Sequence, residues 1–487
     1  MNRPIRVLAV ACGVLFLALL LNINYVQFLR ADDLNTTTGN RRVLDDQFSR
    51  ERGPILVAGK PVAESVPIDD DFDYQRRYGF PQLYANLTGY YSYQYGGSDL
   101  ESTENSILSG SDPALFVNRV VDLLGSDKPA GGSISLTVDP AAQQAAYDGL
   151  AALGQNTRGA VVALDPSTGA ILAMVSRPSY DPNRLASHDF GSVSDAYKEL
   201  NDAEADPLLD RSRQNIYSPG STFKLVTAAA ALESGTYSPD TMVTGGPTLN
   251  LPLTDDVLTN DVESCGSGQI TLTMALAFSC NVSFGEVGLD LGADALREQA
   301  EAFGFGDDTY LEDLSLVESV FPADPDEPQT AFSAIGQFDV SATPLQMAMV
   351  TAGIANGGTV MKPYVVDEIR SPDVELLEEH DPEELSQAVS AGVAAQLTEM
   401  MVTVVNDGTA AEAQIPDIDV AAKTGTAERT EDLPPYAWFV SFAPADDPEV
   451  AVAVFIESTQ GVAREEISGG GLAGPIARSV MEAVIER

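Results

Sequence analysis

The sequence predicts an α+β fold in which one antiparallel sheet, flanked by helices, joins distant parts of the chain. Three observations predict it. Ala160–Leu164 and Ala170–Val175 are apolar runs on either side of the turn-forming Asp165-Pro166-Ser167-Thr168-Gly169, which makes a hairpin. Thr222 to Glu233 is dominated by Ala, Leu, Val and Lys and is followed by Gly235, the composition and stop of a helix. Val420–Thr426, Ala437–Phe442 and Val450–Ile456 read as three successive strands joined by polar loops.

Ahead of these elements, Ile5 to Leu29 is an apolar stretch broken only late, by Asn22, Asn24 and Gln27, and about 20 apolar residues span a bilayer. We read it as a retained anchor, because the exit Tyr25-Val26-Gln27-Phe28-Leu29-Arg30 offers no small-residue cleavage site. Lipidation at Cys12 is disfavoured, since the preceding Ala9-Val10-Ala11 lacks the expected leucine and lies too early in the run. Flanking charge does not set the orientation: Arg3 and Arg6 on one side are matched by Arg30, Arg41 and Arg42 on the other. From Arg41 to about Gly154 the chain is rich in Gly, Ser, Tyr and Asp and reads as an irregular, strand-containing module without a catalytic cluster. Its tyrosine-rich stretch from Gly89 to Gly97 is read as half-buried strand aromatics rather than a contact surface.

With 487 residues, 44% of them hydrophobic, the chain can hold two folded units behind the anchor. Its 27 basic and 72 acidic side chains leave a net charge of -45, which repels nucleic acid and anionic membrane surfaces and excludes both as expected ligands. The acidity is read as a solvated surface. Three cysteines and two histidines do not assemble a tetrahedral zinc site or an iron–sulfur cluster, so no metal or other cofactor is expected. Outside the anchor only Cys265 and Cys280 remain, a pair that fits a disulfide or two buried thiols equally well.

Ser218-Pro219-Gly220-Ser221-Thr222-Phe223-Lys224 places a serine at a helix start, with Lys224 three residues on and on the same face. Serine needs a base to become a nucleophile, and a helix N-terminus offers N–H groups to a developing oxyanion. Such a tetrad alone is weak, since Ser221 fits a helix cap as well. Two further elements follow in order: Ser279-Cys280-Asn281, then Lys423-Thr424-Gly425 on an expected strand. Together the three resemble the signature of penicillin-recognising serine enzymes. In that chemistry Lys224 takes the Ser221 proton, Ser279 relays it to the leaving amine, and Asn281 faces substrate and Lys224. Lys423 is expected as a second cation that holds the substrate carboxylate and keeps Lys224 neutral, helped by the hydroxyls of Thr424 and Thr426. Gly425 is expected to let substrate lie along the strand, and the backbone N–H groups of Ser221 and Thr426 to form the oxyanion hole. With lysine as base, His188 and His380 are expected in surface or loop positions.

The likeness runs along the chain. Arg52-Gly53-Pro54-Ile55, Gly89-Tyr90, Tyr95-Gly96 with Leu100-Glu101, and Leu108-Ser109-Gly110 resemble the N-terminal module of class B penicillin-binding proteins. Leu136-Thr137-Val138-Asp139, Ala163-Leu164-Asp165-Pro166 and Pro178-Ser179-Tyr180-Asp181-Pro182-Asn183 resemble the entry to their transpeptidase domain. Thr343-Pro344-Leu345-Gln346-Met347-Ala348 and Ala355-Asn356-Gly357-Gly358 resemble its helical middle. The pattern is closest to the compact class B proteins of Gram-positive actinobacteria. Two positions depart from it: Phe338 stands where glycine often follows Ile335-Gly336-Gln337, and Ala422 replaces a frequent glycine before Lys423.

The resemblance implies a serine D,D-transpeptidase that acylates Ser221 with D-Ala-D-Ala stem peptides, passes the acyl group to a neighbouring stem-peptide amine and is trapped by β-lactams. It implies residues 1–30 as cytoplasmic tip and anchor, 31–154 as a non-catalytic pedestal-type module and 155–487 as the transpeptidase domain outside the cell. Elongation or division proteins are the expected partners of anchor and module. Two other readings stay open: a D,D-carboxypeptidase using water, and a non-catalytic β-lactam-binding scaffold or sensor. A β-lactamase fits less well because of the module and anchor, and no paired carboxylates point to a glycosyltransferase.

Overall fold

The computed structural model describes residues 3–26, 30, 45, 47–115, 130–260, 263–429, 433–459 and 462–486. The anchor's exit at residues 27–29, and Arg41 and Arg42 beyond it, lie outside the described residues. Helix α1 (Arg3–Asn24) is exposed along its 22 residues and is long and apolar enough to cross a membrane. At about 1.5 Å per residue it matches a hydrocarbon core of about 30 Å.

In the N-terminal module, β1 (Ile55–Val57), β2 (Lys60–Pro67) and β3 (Tyr74–Tyr78) form an antiparallel meander, and β4 (Ser133–Leu136) joins β1 in parallel. Helix α2 (Pro140–Ala152) starts where the Asp139 carboxylate accepts the N–H groups of Ala141 and Ala142, with Pro140 at the first helical position. It lies on the N-terminal side of the expected boundary at residue 154 but packs on the second, larger sheet. That sheet opens with the expected hairpin of β5 (Arg158–Leu164) and β6 (Ile171–Arg177), with Val161 opposite Val175. The connecting turn is held by Asp165 Oδ1, which accepts from Ser167 N at 2.8 Å, and by Gly169 at φ 83°.

The helical middle comprises α3 (Lys224–Glu233), the small hairpin β7 (Thr248–Asn250) and β8 (Val257–Thr259), α4 (Asn281–Leu291) and α5 (Pro344–Ala355). Strands β9 (Val366–Arg370) and β10 (Leu376–Glu379) leave this domain to extend the module's sheet, with Ile369 opposite Ile134 on β4. This pairing was not foreseen from the sequence. Helix α6 (Ala391–Asn406) then leads to β11 (Ala421–Ala427), β12 (Tyr436–Ala443), β13 (Val450–Ser458) and the last helix, α7 (Gly474–Ile485).

The larger sheet has the order β11-β12-β13-β5-β6 and is antiparallel throughout, so the early hairpin and the late strands meet as expected. Its central strands are buried on both faces, which is why β13 reads as one apolar run rather than an alternation. Helices α2 and α7 pack together on it, and α5, buried from Pro344 to Ile354, packs on β13 and β5. Edge strand β11 carries the Lys-Thr-Gly triad.

The tyrosine-rich stretch is internal in part: Tyr91 is buried and stacks on Phe48 at 4.4 Å, while Tyr93 stacks on Phe190 and Tyr95 on Tyr197. The two histidines lie in loops but are half-buried: His188 Nδ1 is 2.7 Å from Asp70 Oδ2 and His380 stacks on Tyr364. Beneath the module sheet, Glu101 is fully buried between Arg52 and Arg76, whose Nε atoms donate at 2.5 and 2.6 Å, and also accepts from the Tyr78 hydroxyl at 3.0 Å.

Candidate active site

Ser221 sits in a 3-10 turn, Gly220–Phe223, immediately before α3, so it precedes the α-helix proper rather than forming its first turn. Gly220 is there for its backbone: φ is 53°, and a Cβ would come within 3.0 Å of the Thr426 carbonyl. The turn is fixed from two sides. Gly336 O accepts from Gly220 N at 2.9 Å and from Ser218 Oγ at 2.7 Å, and the Trp438 indole donates to Ser218 O at 2.9 Å. Two residues beyond Gly336, Phe338 is exposed at φ 59°, a left-handed backbone that explains a preference for glycine at this position.

Lys224 is fully buried, and its Nζ donates to Ser221 Oγ at 2.9 Å, Ser279 O at 2.7 Å and Asn281 Oδ1 at 2.7 Å. Ser279 Oγ lies 3.3 Å from the same nitrogen and 2.8 Å from Lys423 Nζ, so one hydroxyl bridges the two lysine nitrogens. Ser279 holds this place in a left-handed conformation, φ 61°, which costs a non-glycine residue about 1–2 kcal/mol and is the kind of strain found at functional sites.

Asn281 is oriented by the β7–β8 hairpin. Its Nδ2 donates to Thr259 O at 3.0 Å, which turns Oδ1 toward Lys224, and Asn260 Oδ1 accepts the next backbone N–H, that of Val282, at 2.9 Å. Between Ser279 and Asn281, Cys280 is bonded to Cys265, so of the two readings of this cysteine pair the structure has the disulfide.

Lys423 is also fully buried, with Ser279 Oγ and Thr424 O as acceptors at 2.8 Å each. Burial pushes its ammonium down to about 7. The second cation expected from the sequence therefore sits close to losing its charge at neutral pH. At Gly425 a Cβ would lie 2.9 Å from Thr222 Cγ2 and 3.1 Å from Pro219 O, so its missing side chain also admits the serine-bearing turn, a constraint the sequence did not show. Ala422 is fully buried opposite Ser441 on β12.

Ser221, Ser279, Thr424 and Thr426 line one cavity of about 520 Å³. It also exposes residues that sequence reasoning missed: Phe278, Thr409, Glu412 and the turn Gly469-Gly470-Gly471. Thr409 Oγ1 is 2.6 Å from Thr424 Oγ1. The triple glycine was a legible signal, and its reason is close approach: a Cβ on Gly469 would fall 2.0 Å from Trp438 O and 2.7 Å from Gly425 O. A second cavity of about 410 Å³, between the module and β9–β10, contains none of the motif residues. There burial, with Asp313, Glu378 and Asp112 nearby, pushes the Glu104 carboxyl up to about 7. The first cavity is the one that opens onto Ser221, whose hydroxyl Lys224 touches.

Comparison with known proteins bears on this geometry. Residues 159–482 match the penicillin binding protein transpeptidase domain family, and residues 52–134 match the penicillin binding protein A dimerisation domain. The chain is 44% identical to the peptidoglycan D,D-transpeptidase PbpA of Mycolicibacterium smegmatis, over 100% of this chain and 99% of that protein. It is 42% identical to PbpA of Mycobacterium tuberculosis over the same shares. The solved structure of M. tuberculosis penicillin-binding protein A as a ceftriaxone acyl-enzyme complex superposes with a TM-score of 0.86 at 41% identity, covering 91% of this chain and 100% of that one.

Proposed function

The chain belongs to the penicillin-binding protein transpeptidase family, and on that premise we propose that it is a membrane-anchored class B peptidoglycan D,D-transpeptidase acting outside the cell. The observation that carries the reading is the contact of Lys224 Nζ with Ser221 Oγ at 2.9 Å, made by a lysine that also touches Ser279 and Asn281. Helix α1 serves as the anchor, and the chemistry requires the remaining domains to face the peptidoglycan.

In the first half-reaction, Ser221 Oγ attacks the carbonyl of the penultimate D-alanine of a donor stem peptide while its proton passes to the neutral form of Lys224. The oxyanion is met by the backbone N–H groups of Ser221 and Thr426. As the C–N bond breaks, the proton travels by way of Ser279 to the departing amine of D-alanine. Lys423, Thr424 and Thr426 hold the terminal carboxylate, whose charge favours the ammonium form of Lys423. In the second half-reaction a neutral amine of a neighbouring stem peptide attacks the ester. A C–N bond forms, the bond to Ser221 Oγ breaks, and the proton released by the amine returns to that oxygen. A β-lactam enters at the first step and leaves the serine acylated.

Intact-mass measurement of the full chain in detergent, with a fluorescent penicillin, tests this directly. One covalent adduct is expected on the wild type and none on Ser221→Ala; an unmodified wild type would sink the enzyme reading and leave a scaffold. Turnover of a D-Ala-D-Ala peptide with and without an amine acceptor then separates transfer from hydrolysis. Hydrolysis unaffected by acceptor would make the protein a carboxypeptidase.

A further inference from the structure

We propose that Glu412 recruits the cationic acceptor amine to the acyl-enzyme, making it a specificity-determining residue for the second half-reaction; this rests on the transpeptidase reading above. Glu412 lies in the 3-10 turn Ala411–Ala413 between α6 and β11. Among the described residues it is the one charged side chain lining the cavity that holds Ser221. Its backbone is fixed, with Ala410 and Ala413 fully buried on either side and Glu412 Cβ against Gly474, where an added Cβ would come within 3.2 Å. The side chain itself is exposed, and among the described residues no hydrogen bond or ion pair engages its carboxylate. A fixed backbone carrying a solvated, uncommitted carboxylate at the mouth of a reactive cleft is a residue positioned for an incoming ligand.

The charge of that ligand follows from the layout of the cleft. Lys224 and Lys423, neither of which lines the cavity, lie fully buried behind its floor residues Ser221 and Ser279. The two substrates carry opposite charges: the donor ends in a carboxylate, and the acceptor arrives with an amine that is mostly ammonium near neutral pH. The floor suits the donor's carboxylate, and the mouth carboxylate suits the acceptor. Glu412 also lines an adjoining groove of about 550 Å³ together with Asp417, Asp419 and Arg478, whose guanidinium is paired with Glu482. The three carboxylates on the α6–β11 connection outnumber that one paired cation and raise the local concentration of a cationic arm before it gives up its proton and attacks.

The test uses the full chain in detergent, a D-alanyl thioester as acyl donor and two acceptors: glycinamide, which carries an amine only, and D-alanine, which adds a carboxylate. Hydrolysis of the same acyl-enzyme is the internal reference. For Glu412→Gln the KM of glycinamide should rise about five-fold at low salt, the worth of one exposed ion pair, with kcat little changed. Glu412→Lys should raise it further, Glu412→Asp should restore it, and added salt should narrow the gap between wild type and Glu412→Gln. The preference for glycinamide over D-alanine should shrink in Glu412→Gln, because the carboxylate of D-alanine is no longer repelled. If the KM of glycinamide stays within two-fold of wild type in both Glu412→Gln and Glu412→Lys, Glu412 is only another solvated surface charge. Should the wild type form no acyl-enzyme at all, it is the transpeptidase reading that fails instead.

Discussion

Glu101 in the N-terminal module and Lys423 in the catalytic cleft are both fully buried ionisable groups, yet one is matched and the other is not. Burial pushes the Glu101 carboxyl up, but the Arg76 and Arg52 guanidinium groups outweigh it and hold the carboxyl below its ordinary value. Among the described residues Lys423 has only neutral oxygens as acceptors, and burial pushes it down to about 7. The difference separates two uses of a buried charge. A matched charge locks elements together, here β3, the segment before β1 and the short helix Asp99–Thr103 that carries Glu101; in the proposed mechanism an unmatched one takes its counter-charge from the substrate.

The comparison breaks most visibly at Glu101. Glu101→Gln leaves two buried guanidinium groups without their carboxylate, and a loss of about 3–5 kcal/mol of module stability is expected in urea denaturation. A loss below about 1 kcal/mol would mean that water or relaxation replaces the carboxylate, and that the pairing is not what holds the module.

Lys423 gives the next largest effect, through pH. The donor carboxylate pairs with the ammonium form, so the donor KM should increase as pH climbs above about 7, by at most about tenfold per unit. Lys423→Arg, charged throughout, should flatten that rise. Stability runs in the opposite sense. Between about 7 and the ordinary lysine value of 10.5 the folded chain binds fewer protons here than the unfolded chain, so this group makes stability rise with pH across that window and adds no slope below it. A donor KM that is level from pH 6 to 9 would remove Lys423 from carboxylate binding.

The smallest effect sharpens the module side. Tyr78→Phe removes one hydroxyl, at 3.0 Å from Glu101, while leaving both guanidinium groups in place. About 1 kcal/mol is expected by thermal or urea unfolding. A cost approaching that of Glu101→Gln would show that the phenol, and not the ion pairs, orders the network.

Much of the catalytic domain was legible because its signals are local. The turn at Asp165–Gly169, the helix ending before Gly235 and the three apolar runs of the late sheet are patterns of a few residues, and the structure carries each of them. The strand pair β9–β10 was not legible, because Val366–Arg370 gains its meaning only from pairing with β4 in a different part of the chain. Glu412 and Thr409 were missed for a similar reason: nothing in their neighbourhood marks them, and the fold alone carries them to the cavity of Ser221. The packing of the serine-bearing turn against Gly425 was not legible either, because a missing side chain does not say which neighbour fills the space.

By itself the sequence determined the order Ser221, Lys224, Ser279, Asn281, Lys423, and with it the class of chemistry, since residue types at short fixed spacings on a turn and a strand are properties of the local chain. Folding was needed before Ser279 could bridge Lys224 and Lys423 from a left-handed backbone, and before Lys423 was buried far enough to approach neutrality. The fold, too, is what carries the Glu412 carboxylate to the cavity of Ser221. Burial and charge balance are sums over neighbours brought from distant parts of the chain, and those sums do not exist until the chain has folded.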